Sequence, residues 1–247
     1  MLREVAKMAV RIAAPPFVRG RPIATWPGWL GRTLGVKVPQ SLRQKKEVGP
    51  TGAANINILC GMIERTRNLA GDIADCGVYL GGSTIGMGLY LRERGIKKQI
   101  FGFDSFEGFD PKFVHADMEL GGVENEDRNE SGFSGTSFPF VSRKVARFRL
   151  PNVHLVKGFF SESFQTLPSD LKFCFVHLDV NLYESYRVSL EFFYPRMVVG
   201  GIVLFDEYND PPWPGCNKAV DEFLSGVPET LQMVQMNNYQ KWYFVKQ

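Results

Sequence analysis

Three carboxylates follow two of the most apolar runs in the chain. Asp179 follows FCFVHL, and Asp206 and Glu207 follow GIVLF. If these runs are neighbouring parallel strands, their carboxyl ends meet at one edge of a sheet, where α/β proteins bind ligands. Clustered carboxylates repel each other unless a positive charge lies between them, and no Lys or Arg adjoins them in the sequence. The pattern predicts a hard divalent cation held by oxygen atoms, and Mg²⁺ suits such a site.

The residues around these acids add further candidates. His177 precedes Asp179 by two positions, so both side chains should face the same side of the strand. We take Asp179 and His177 as candidates for proton transfer, although a lone histidine in a strand is more often a packed residue. Asn181 and Asn209 are further oxygen donors nearby. In the alternative interpretation, the acids point apart and cap the helices that follow.

A glycine-rich turn precedes these acids in the chain. Residues 73–84, IADCGVYLGGST, have the pattern of a strand, a turn and the start of a helix. Gly77, Gly81 and Gly82 permit positive φ and a close approach of a ligand to the backbone. The helix start offers unpaired N–H groups. This combination predicts a nucleotide-sized site, and the alternative is a tight βα turn without a ligand.

A fourth acid, Asp104, ends the apolar run QIFGFD. A carboxylate roughly 20–30 residues past a glycine turn is placed to bind ribose hydroxyls. The alternative is a turn cap, because Asp and Ser are common in turns. The turn itself reads G-x-x-x-G-G rather than the G-x-G-x-x-G of nicotinamide-binding domains, which argues against a dehydrogenase.

Apolar runs and amphipathic segments alternate along most of the chain. Predicted strands cover residues 73–78, 99–104, 153–157, 173–179, 201–206, 231–236 and 241–246. Predicted helices cover residues 55–68, 84–94, 140–148, 160–167, 183–194 and 217–224. Near-continuous apolar strands between helices predict a mostly parallel sheet covered on both faces. The last two strands form an antiparallel hairpin around Asn237 and Asn238.

Two segments depart from this alternation. Residues 1–50 are rich in Arg, Lys and Pro, so we treat them as a basic N-terminal extension and residues 51–247 as the main folded domain. We expect this extension to pack on the protein or on a sister subunit rather than on a membrane. Residues 105–139 are long, glycine-rich and acidic. Loops of this length are usually functional or disordered, and we interpret this one as a lid over the substrate.

Composition narrows the class of protein. The formal net charge of +3 is too small to indicate a nucleic-acid partner. No apolar run reaches the roughly 18 residues that a membrane helix needs. The four cysteines have no C-x-x-C spacing, which argues against a zinc site or a disulfide framework. We therefore expect a cytoplasmic protein in a reducing environment.

Five sequence blocks occur in a recognisable order: DCGVYLGGST, FGFDSFEGF, VKGFFSESFQTLP, HLDVNLYESYRVSLEFFYPRMVVGGIVLFDEY and NKAVDEF. Together they resemble the TylF/MycF (macrocin O-methyltransferase) family over about residues 55–247. The resemblance implies a Rossmann-like class I methyltransferase fold: a seven-stranded, mostly parallel sheet with a C-terminal antiparallel hairpin and helices on both faces. It also implies S-adenosylmethionine and Mg²⁺ as cofactors, and a sugar or phenol hydroxyl as acceptor. We expect a homo-oligomer.

The resemblance assigns roles to individual residues. Those expected to hold the methionine part of the cofactor are Asp75, Gly77, Gly81 and Ser83. Those expected near its ribose are Asp104 and Ser105. Those expected near its adenine are Gly158, Phe159 and Ser161. The expected metal ligands are Asp179, Asp206 and Glu207, where the family usually has Asp-Asp in place of Asp206-Glu207. The 105–139 segment has no close match, so the family's acceptors do not transfer.

Two further functions stay open at this point. A methyltransferase-like fold can be recruited for other metal-dependent chemistry, such as hydroxylation. The domain can also serve as a cofactor-binding scaffold in a biosynthetic complex, with the basic N-terminal segment as its docking arm. The acid cluster favours an enzyme over a scaffold.

Overall fold

The computed structural model describes residues 52–118, 132–236 and 239–247. Within these ranges the strands are β1 (Asp72–Cys76), β2 (Ile100–Asp104), β3 (Val153–Lys157), β4 (Phe173–Leu178), β5 (Met197–Phe205), β6 (Gln232–Met236) and β7 (Tyr239–Val245). The helices are α1 (Ala53–Thr66), α2 (Gly82–Arg94), α3 (Pro111–Met118), α4 (Phe138–Arg147), α5 (Phe160–Ser163), α6 (Tyr183–Phe193) and α7 (Pro214–Leu224). Short 3₁₀ turns extend α5 and α6.

The strands form one sheet in the order β3-β2-β1-β4-β5-β7-β6. The first five in this order are parallel, and β7 pairs antiparallel with both β5 and β6. The prediction of a mostly parallel seven-stranded sheet with a C-terminal antiparallel hairpin is confirmed. The strand order reverses between the neighbours β1 and β4. Open α/β sheets bind ligands at such a reversal point.

Neighbouring residues of β1 and β5 face two different apolar cores. In β1, Ile73 joins a core with α1 and α2, while Ala74 joins a second core with α6 and α7. In β5, Leu204 and Phe205 divide in the same way. This alternation follows from the period of two in strand side chains. It confirms that helices cover both faces, and it holds the strand ends in a fixed row.

That row brings the predicted site residues to one edge of the sheet. The backbone N–H of Gly77 bonds to Phe103, that of Asp179 bonds to Cys76, and that of Asp206 bonds to Leu178. The parallel register therefore continues one residue past each strand. Gly77, Asp179 and Asp206 lie side by side at the carboxyl edge as a result.

One helix differs from the sequence prediction, and three segments lie outside the described residues. α3 is a helix within residues 105–139, a segment that we had expected to be a long loop. Pro111 at its start supports this, since proline suits the first turn of a helix. Residues 1–51, 119–131 and 237–238 lie outside the described ranges, and they include the whole predicted N-terminal extension. No described helix combines the length and apolarity needed to cross a membrane.

Candidate active site

A cavity opens at the carboxyl edge of the sheet, beside the reversal in strand order. It encloses about 860 Å³ of empty space, part of it open to solvent. Ligand pockets of roughly 300–1,000 Å³ are typical for small molecules and cofactors. The predicted site residues on its wall are Gly77, Ser83, Asp104, Ser105, Gly158, Phe159 and Asp179. Most of the predicted cofactor seat is thus brought together around one space.

The glycine turn is shaped by close backbone packing. Gly77 has a φ of 92°, and a Cβ placed there would lie 1.8 Å from the carbonyl oxygen of Asp179. Only glycine fits this position. Gly81 also has positive φ and begins α2, but the space beside it is filled by Val141 and Ile85 rather than by the cavity. Gly82 and Ser83, in the first turn of α2, line the cavity instead.

Asp75 is fully buried beneath the turn and does not line the cavity. Its carboxylate accepts hydrogen bonds from the Ser83 hydroxyl at 2.8 Å and the Thr84 hydroxyl at 2.5 Å. Its other oxygen lies 2.7 Å from Nδ1 of His177. Asp75 therefore ties the start of α2 to the carboxyl end of β4. The structure places it one layer below the predicted position against the cofactor.

Asp104 fixes the loops around the cavity. Its carboxylate accepts the backbone N–H of Tyr79 at 2.7 Å and that of Phe106 at 2.6 Å. Burial raises the pKa of Asp104, and these hydrogen bonds act against that rise. Ser105 donates its hydroxyl to the carbonyl of Gly108 at 2.5 Å. Each carboxylate oxygen has a second lone pair, so Asp104 can still accept from a ligand in the cavity.

The predicted adenine end is only partly assembled as expected. Gly158 and Phe159 line the cavity, whereas Ser161 is exposed and does not. Phe160 lines the cavity in its place. Its ring stacks on Phe164 with centroids 5.3 Å apart. No pattern in the sequence indicates that Phe160, rather than the next residue Ser161, lines the cavity.

The acid cluster adjoins the cavity through Asp179. Single donor atoms of His177, Asp179 and Asp206 lie within 4.8 Å of one another. Glu207 is outside that group: its carboxylate accepts hydrogen bonds from the Tyr186 hydroxyl and from the backbone N–H of Asn181. The three predicted acids are therefore neighbours. The group whose donor atoms lie within 4.8 Å of one another, however, contains His177 rather than Glu207.

His177 is fully buried between two carboxylates. Nδ1 lies 2.7 Å from Asp75, and Nε2 lies 3.5 Å from Asp206. Burial lowers the pKa of His177, but the hydrogen bonds to Asp206 and Asp75 outweigh it and raise the pKa to about 10. The ring is therefore protonated at neutral pH, with both nitrogens engaged. This arrangement does not suit the predicted role of a proton acceptor.

Lys241 supplies a positive charge that the sequence did not indicate. It comes from β7, is 5% exposed, and places Nζ 2.6 Å from Oδ2 of Asp206. The same ammonium donates to the backbone carbonyl of Asp206 at 2.5 Å. The antiparallel register of β5 and β7 brings the two residues together. No Lys or Arg adjoins the acids in the local sequence, but the folded chain brings Lys241 to Asp206 from β7.

The three acids differ in charge state. Burial raises the pKa of Asp206, but the hydrogen bond from His177 and the charge of Lys241 lower it far more, so Asp206 stays ionised. Burial, followed by the charges of Asp206 and Glu207, raises the pKa of Asp179 well above its usual range. Burial and the charge of Asp206 raise the pKa of Glu207 to about 7. Asp179 and Glu207 hydrogen-bond each other. A positive charge beside this pair would favour the ionised form of both carboxyl groups.

The donor set fits a hard divalent cation. Asp179 and Asp206 offer carboxylate oxygens at close range. Asn55, from the first turn of α1, donates Nδ2 to Asp206 at 3.1 Å. Its carbonyl oxygen is buried with no hydrogen-bond partner among the described residues. Oxygen ligands of these kinds are those that Mg²⁺ prefers. Asn209 does not join them, because its side chain pairs with Asn217.

Aromatic rings cover the outer side of the cavity. Phe109, Phe113, Phe133 and Tyr79 line it. Phe133 meets Tyr79 and Phe109 edge to face, each with ring centroids 5.4 Å apart. α3 is held down by Asp117, which is buried and accepts the backbone N–H of Tyr183 at 2.9 Å. The described parts of the 105–139 segment thus lie over the cavity, where we expected a lid.

The chain is similar to known O-methyltransferases. Residues 45–243 match the profile of the family described as Macrocin-O-methyltransferase (TylF). The chain is 28% identical over 203 residues to demethyldecarbamoylnovobiocin O-methyltransferase of Streptomyces niveus, covering 80% of this chain and 69% of that protein. It is 29% identical over 157 residues to mycinamicin III 3''-O-methyltransferase of Micromonospora griseorubida, covering 62% of this chain and 60% of that protein.

A further relative and two solved structures agree on the fold. The chain is 31% identical over 156 residues to a tetracenomycin 4'-O-methyltransferase of Streptomyces olivaceus, covering 62% of this chain and 58% of that protein. The O-methyltransferase NovP superposes with a TM-score of 0.64 at 24% identity, covering 79% of this chain and 80% of that one. The calicheamicin methyltransferase CalS11 superposes with a TM-score of 0.66 at 19% identity, covering 98% and 91%. The fold is that of class I methyltransferases.

Proposed function

Because the chain belongs to the TylF macrocin-O-methyltransferase family, and is an O-methyltransferase on that ground, we propose the following reaction. The enzyme transfers the methyl group of S-adenosylmethionine to a hydroxyl of a sugar or other natural-product acceptor, with Mg²⁺ at the acid cluster. One observation carries this proposal: Asp179 belongs to the wall of the cavity and to the acid cluster at once. A methyl donor in the cavity and a hydroxyl at the acids would meet there.

The cavity wall would hold the methyl donor mainly by shape. Gly77 lets the backbone approach closely, and the first turn of α2 offers N–H groups to a carboxylate. Asp104, with its second lone pairs, would accept from ribose hydroxyls. Gly158, Phe159 and Phe160 would border the adenine, while Asp75 would hold Ser83 in place from below. The bound sulfonium cofactor supplies an electrophilic methyl group.

The acid cluster would bind and orient the acceptor. Asp179 and Asp206 would hold the metal, with Glu207 hydrogen-bonded to Asp179 from the outer side. A bound Mg²⁺ acts as a Lewis acid and lowers the pKa of a coordinated hydroxyl. Fixing the hydroxyl in line with the methyl group is expected to supply much of the rate, since alignment alone accounts for large effective concentrations.

His177 would serve as a positioning residue rather than as the base. Its ring holds Asp75 on one side and Asp206 on the other, and it does not line the cavity. It would thereby link the cofactor turn to the metal end. Asp179, which faces the cavity, is the better candidate to take the acceptor proton.

The acceptor would lie against the aromatic wall. Tyr79, Phe109 and Phe133 offer flat apolar surfaces, which suit a sugar face or an aromatic ring. The relatives named above are O-methyltransferases of mycinamicin, tetracenomycin and novobiocin compounds. This supports a decorated sugar or a related small molecule as substrate.

Transfer of labelled methyl from S-adenosylmethionine to a panel of deoxysugar glycosides and phenols tests the proposal. We expect methylated product from at least one sugar, its loss in EDTA, and its return on addition of Mg²⁺. Turnover that is unchanged in EDTA would remove the metal from the proposal. Binding of S-adenosylhomocysteine without any transfer would favour the scaffold function, and failure to bind it would favour other metal chemistry.

Expectations about the location and partners of the whole protein remain proposals. We propose a cytoplasmic enzyme that forms a homo-oligomer and makes no contact with membranes or nucleic acid. Sedimentation of the full chain and of a variant lacking residues 1–50 would test self-association. Co-sedimentation of both forms with anionic liposomes would test the membrane.

A further inference from the structure

One side chain at the acid cluster has no role in the reaction described so far. Asn55 lies in the first turn of α1, far in sequence from the acids, and it is 4% exposed. Its Nδ2 donates to Oδ1 of Asp206 at 3.1 Å. Its Oδ1 is buried and has no hydrogen-bond partner among the described residues.

A buried carbonyl oxygen without a partner is costly. Leaving such a group unsatisfied destabilises the folded state, and most buried polar atoms in folded proteins are paired. The oxygen and nitrogen of an amide are bonded to the same carbon, so the contact of Nδ2 with Asp206 keeps the oxygen of Asn55 in the neighbourhood of the acid cluster. An unpaired oxygen lone pair next to clustered acids is placed to bind a cation.

We propose that Asn55 contributes its side-chain carbonyl oxygen as a further ligand of the divalent cation held by Asp179 and Asp206. This inference rests on the proposed metal-dependent function. The amide group is well suited to it, because its N–H side fixes it on Asp206 and its oxygen side remains free. A neutral amide oxygen would give the cation a further ligand without adding a negative charge to the three neighbouring acids.

Another buried asparagine on the same helix provides a matched control. Asn57 is 1% exposed, and neither polar atom of its side chain has a partner among the described residues. Residues two apart on a helix do not share a face. Asn57 therefore tests what happens when a buried amide is lost from α1 away from Asp206.

The experiment is a Mn²⁺ titration of the full chain with S-adenosylhomocysteine present, in which free Mn²⁺ is followed by its paramagnetic resonance signal. Asn55→Leu should weaken Mn²⁺ binding by about tenfold or more, as losses at metal sites commonly do. Asn55→Asp keeps an oxygen at the same place and should bind Mn²⁺ at least as tightly as the wild type. Asn57→Leu should leave the affinity near the wild-type value.

Several results would overturn the inference. Equal Mn²⁺ affinity in wild type and Asn55→Leu would remove Asn55 from the ligand set while leaving the proposed function intact. Equal weakening in Asn55→Leu and Asn55→Asp would assign the effect to the lost N–H contact with Asp206. Absence of Mn²⁺ binding in the wild type would overturn both this inference and the metal in the proposed function.

Folding of the variants is checked in the same samples. Unchanged affinity for S-adenosylhomocysteine shows that the cavity is intact. If Asn55→Leu does not fold, Asn55→Ala removes the same oxygen without added bulk, and its Mn²⁺ affinity decides the question.

Discussion

Around the cavity, the wall is shaped mostly by backbone: the Gly77 turn packs on the carbonyl of Asp179, and Asp104 holds two backbone N–H groups. In the acid cluster, side chains contact side chains, as in the bonds of Asp206 to His177 and Lys241. Backbone packing defines the shape of the cavity wall, whereas contacts between charged side chains define the acid cluster. The two regions should therefore fail in different ways when single residues change.

The largest effect is expected from crowding the cavity turn. In Gly77→Ala, the added Cβ would meet a backbone oxygen at 1.8 Å and the residue would hold positive φ. Backbone cannot rotate away as a side chain can, so we expect destabilisation above about 4 kcal/mol, which is exceptional for one substitution. Urea unfolding followed by circular dichroism measures it.

Gly95→Ala is the control for this substitution. Gly95 also has positive φ, at 64°, but nothing lies within 4 Å of an added Cβ. It should cost only the backbone strain, of about 1–3 kcal/mol. Equal losses in both variants would show that the close approach to Asp179 is unimportant.

The charge-based region should respond next most strongly to loss of its cation. Lys241→Met leaves the carboxylate of Asp206 without its closest positive partner. Breaking a buried ion pair in this way costs about 3–5 kcal/mol. We expect a loss of this size in urea unfolding, and partial recovery in the Lys241→Met, Asp206→Asn double variant.

An exposed ion pair provides the comparison for Lys241. Lys218 and Glu222 are separated by 4.0 Å, and both side chains are about half exposed. Lys218→Met should cost less than about 1 kcal/mol. A loss below that value in Lys241→Met as well would mean that the cluster does not depend on this charge.

Asp179→Asn separates chemistry from binding at the residue that the two regions share. The shape is retained and the charge is lost, so methyl transfer should fall by about a hundredfold or more if the proposed metal assistance, worth several kcal/mol, depends on this carboxylate. Affinity for S-adenosylhomocysteine should stay near the wild-type value. Calorimetric titration and a methyl-transfer assay on the same sample check both. A parallel fall in cofactor affinity would show that the two regions are not separable.

The smallest effect is expected at the aromatic wall. Phe133→Leu removes edge contacts to Tyr79 and Phe109, each worth about 0.5–1.5 kcal/mol. We expect a several-fold rise in the KM of the acceptor with little change in kcat. Phe192→Leu removes a ring stacked on Phe164 at 4.7 Å, away from the cavity wall, and should change stability but not KM.

The parallel part of the fold could be predicted from local pattern because β2 ends on an acid, and β4 and β5 are apolar runs that an acid follows directly. Asp104, Asp179 and Asp206 marked the carboxyl edge before any pairing was known. α3 was missed, although Pro111 followed by Phe113 and Val114 is a reasonable helix start. The glycine and acid content of the surrounding segment hid it.

The missed site residues share a physical reason. Lys241 reaches Asp206 through antiparallel pairing of β7 with β5, and Asn55 reaches it through packing of α1 at the carboxyl edge. Neither contact has a signature in local spacing. The one available hint was alternation in β7, which puts Lys241 on the same side as the buried Tyr243.

The position of β7 between β5 and β6 has a consequence for synthesis of the chain. β7 is made after every strand it joins, yet it lies inside the sheet rather than at its edge. A nascent chain on the ribosome therefore exposes the edge of β5 and carries Asp206 without Lys241 until β7 emerges. The buried contact between Lys241 and Asp206 can form only after translation has passed this strand, so a partly made chain carries the acid cluster without this cation.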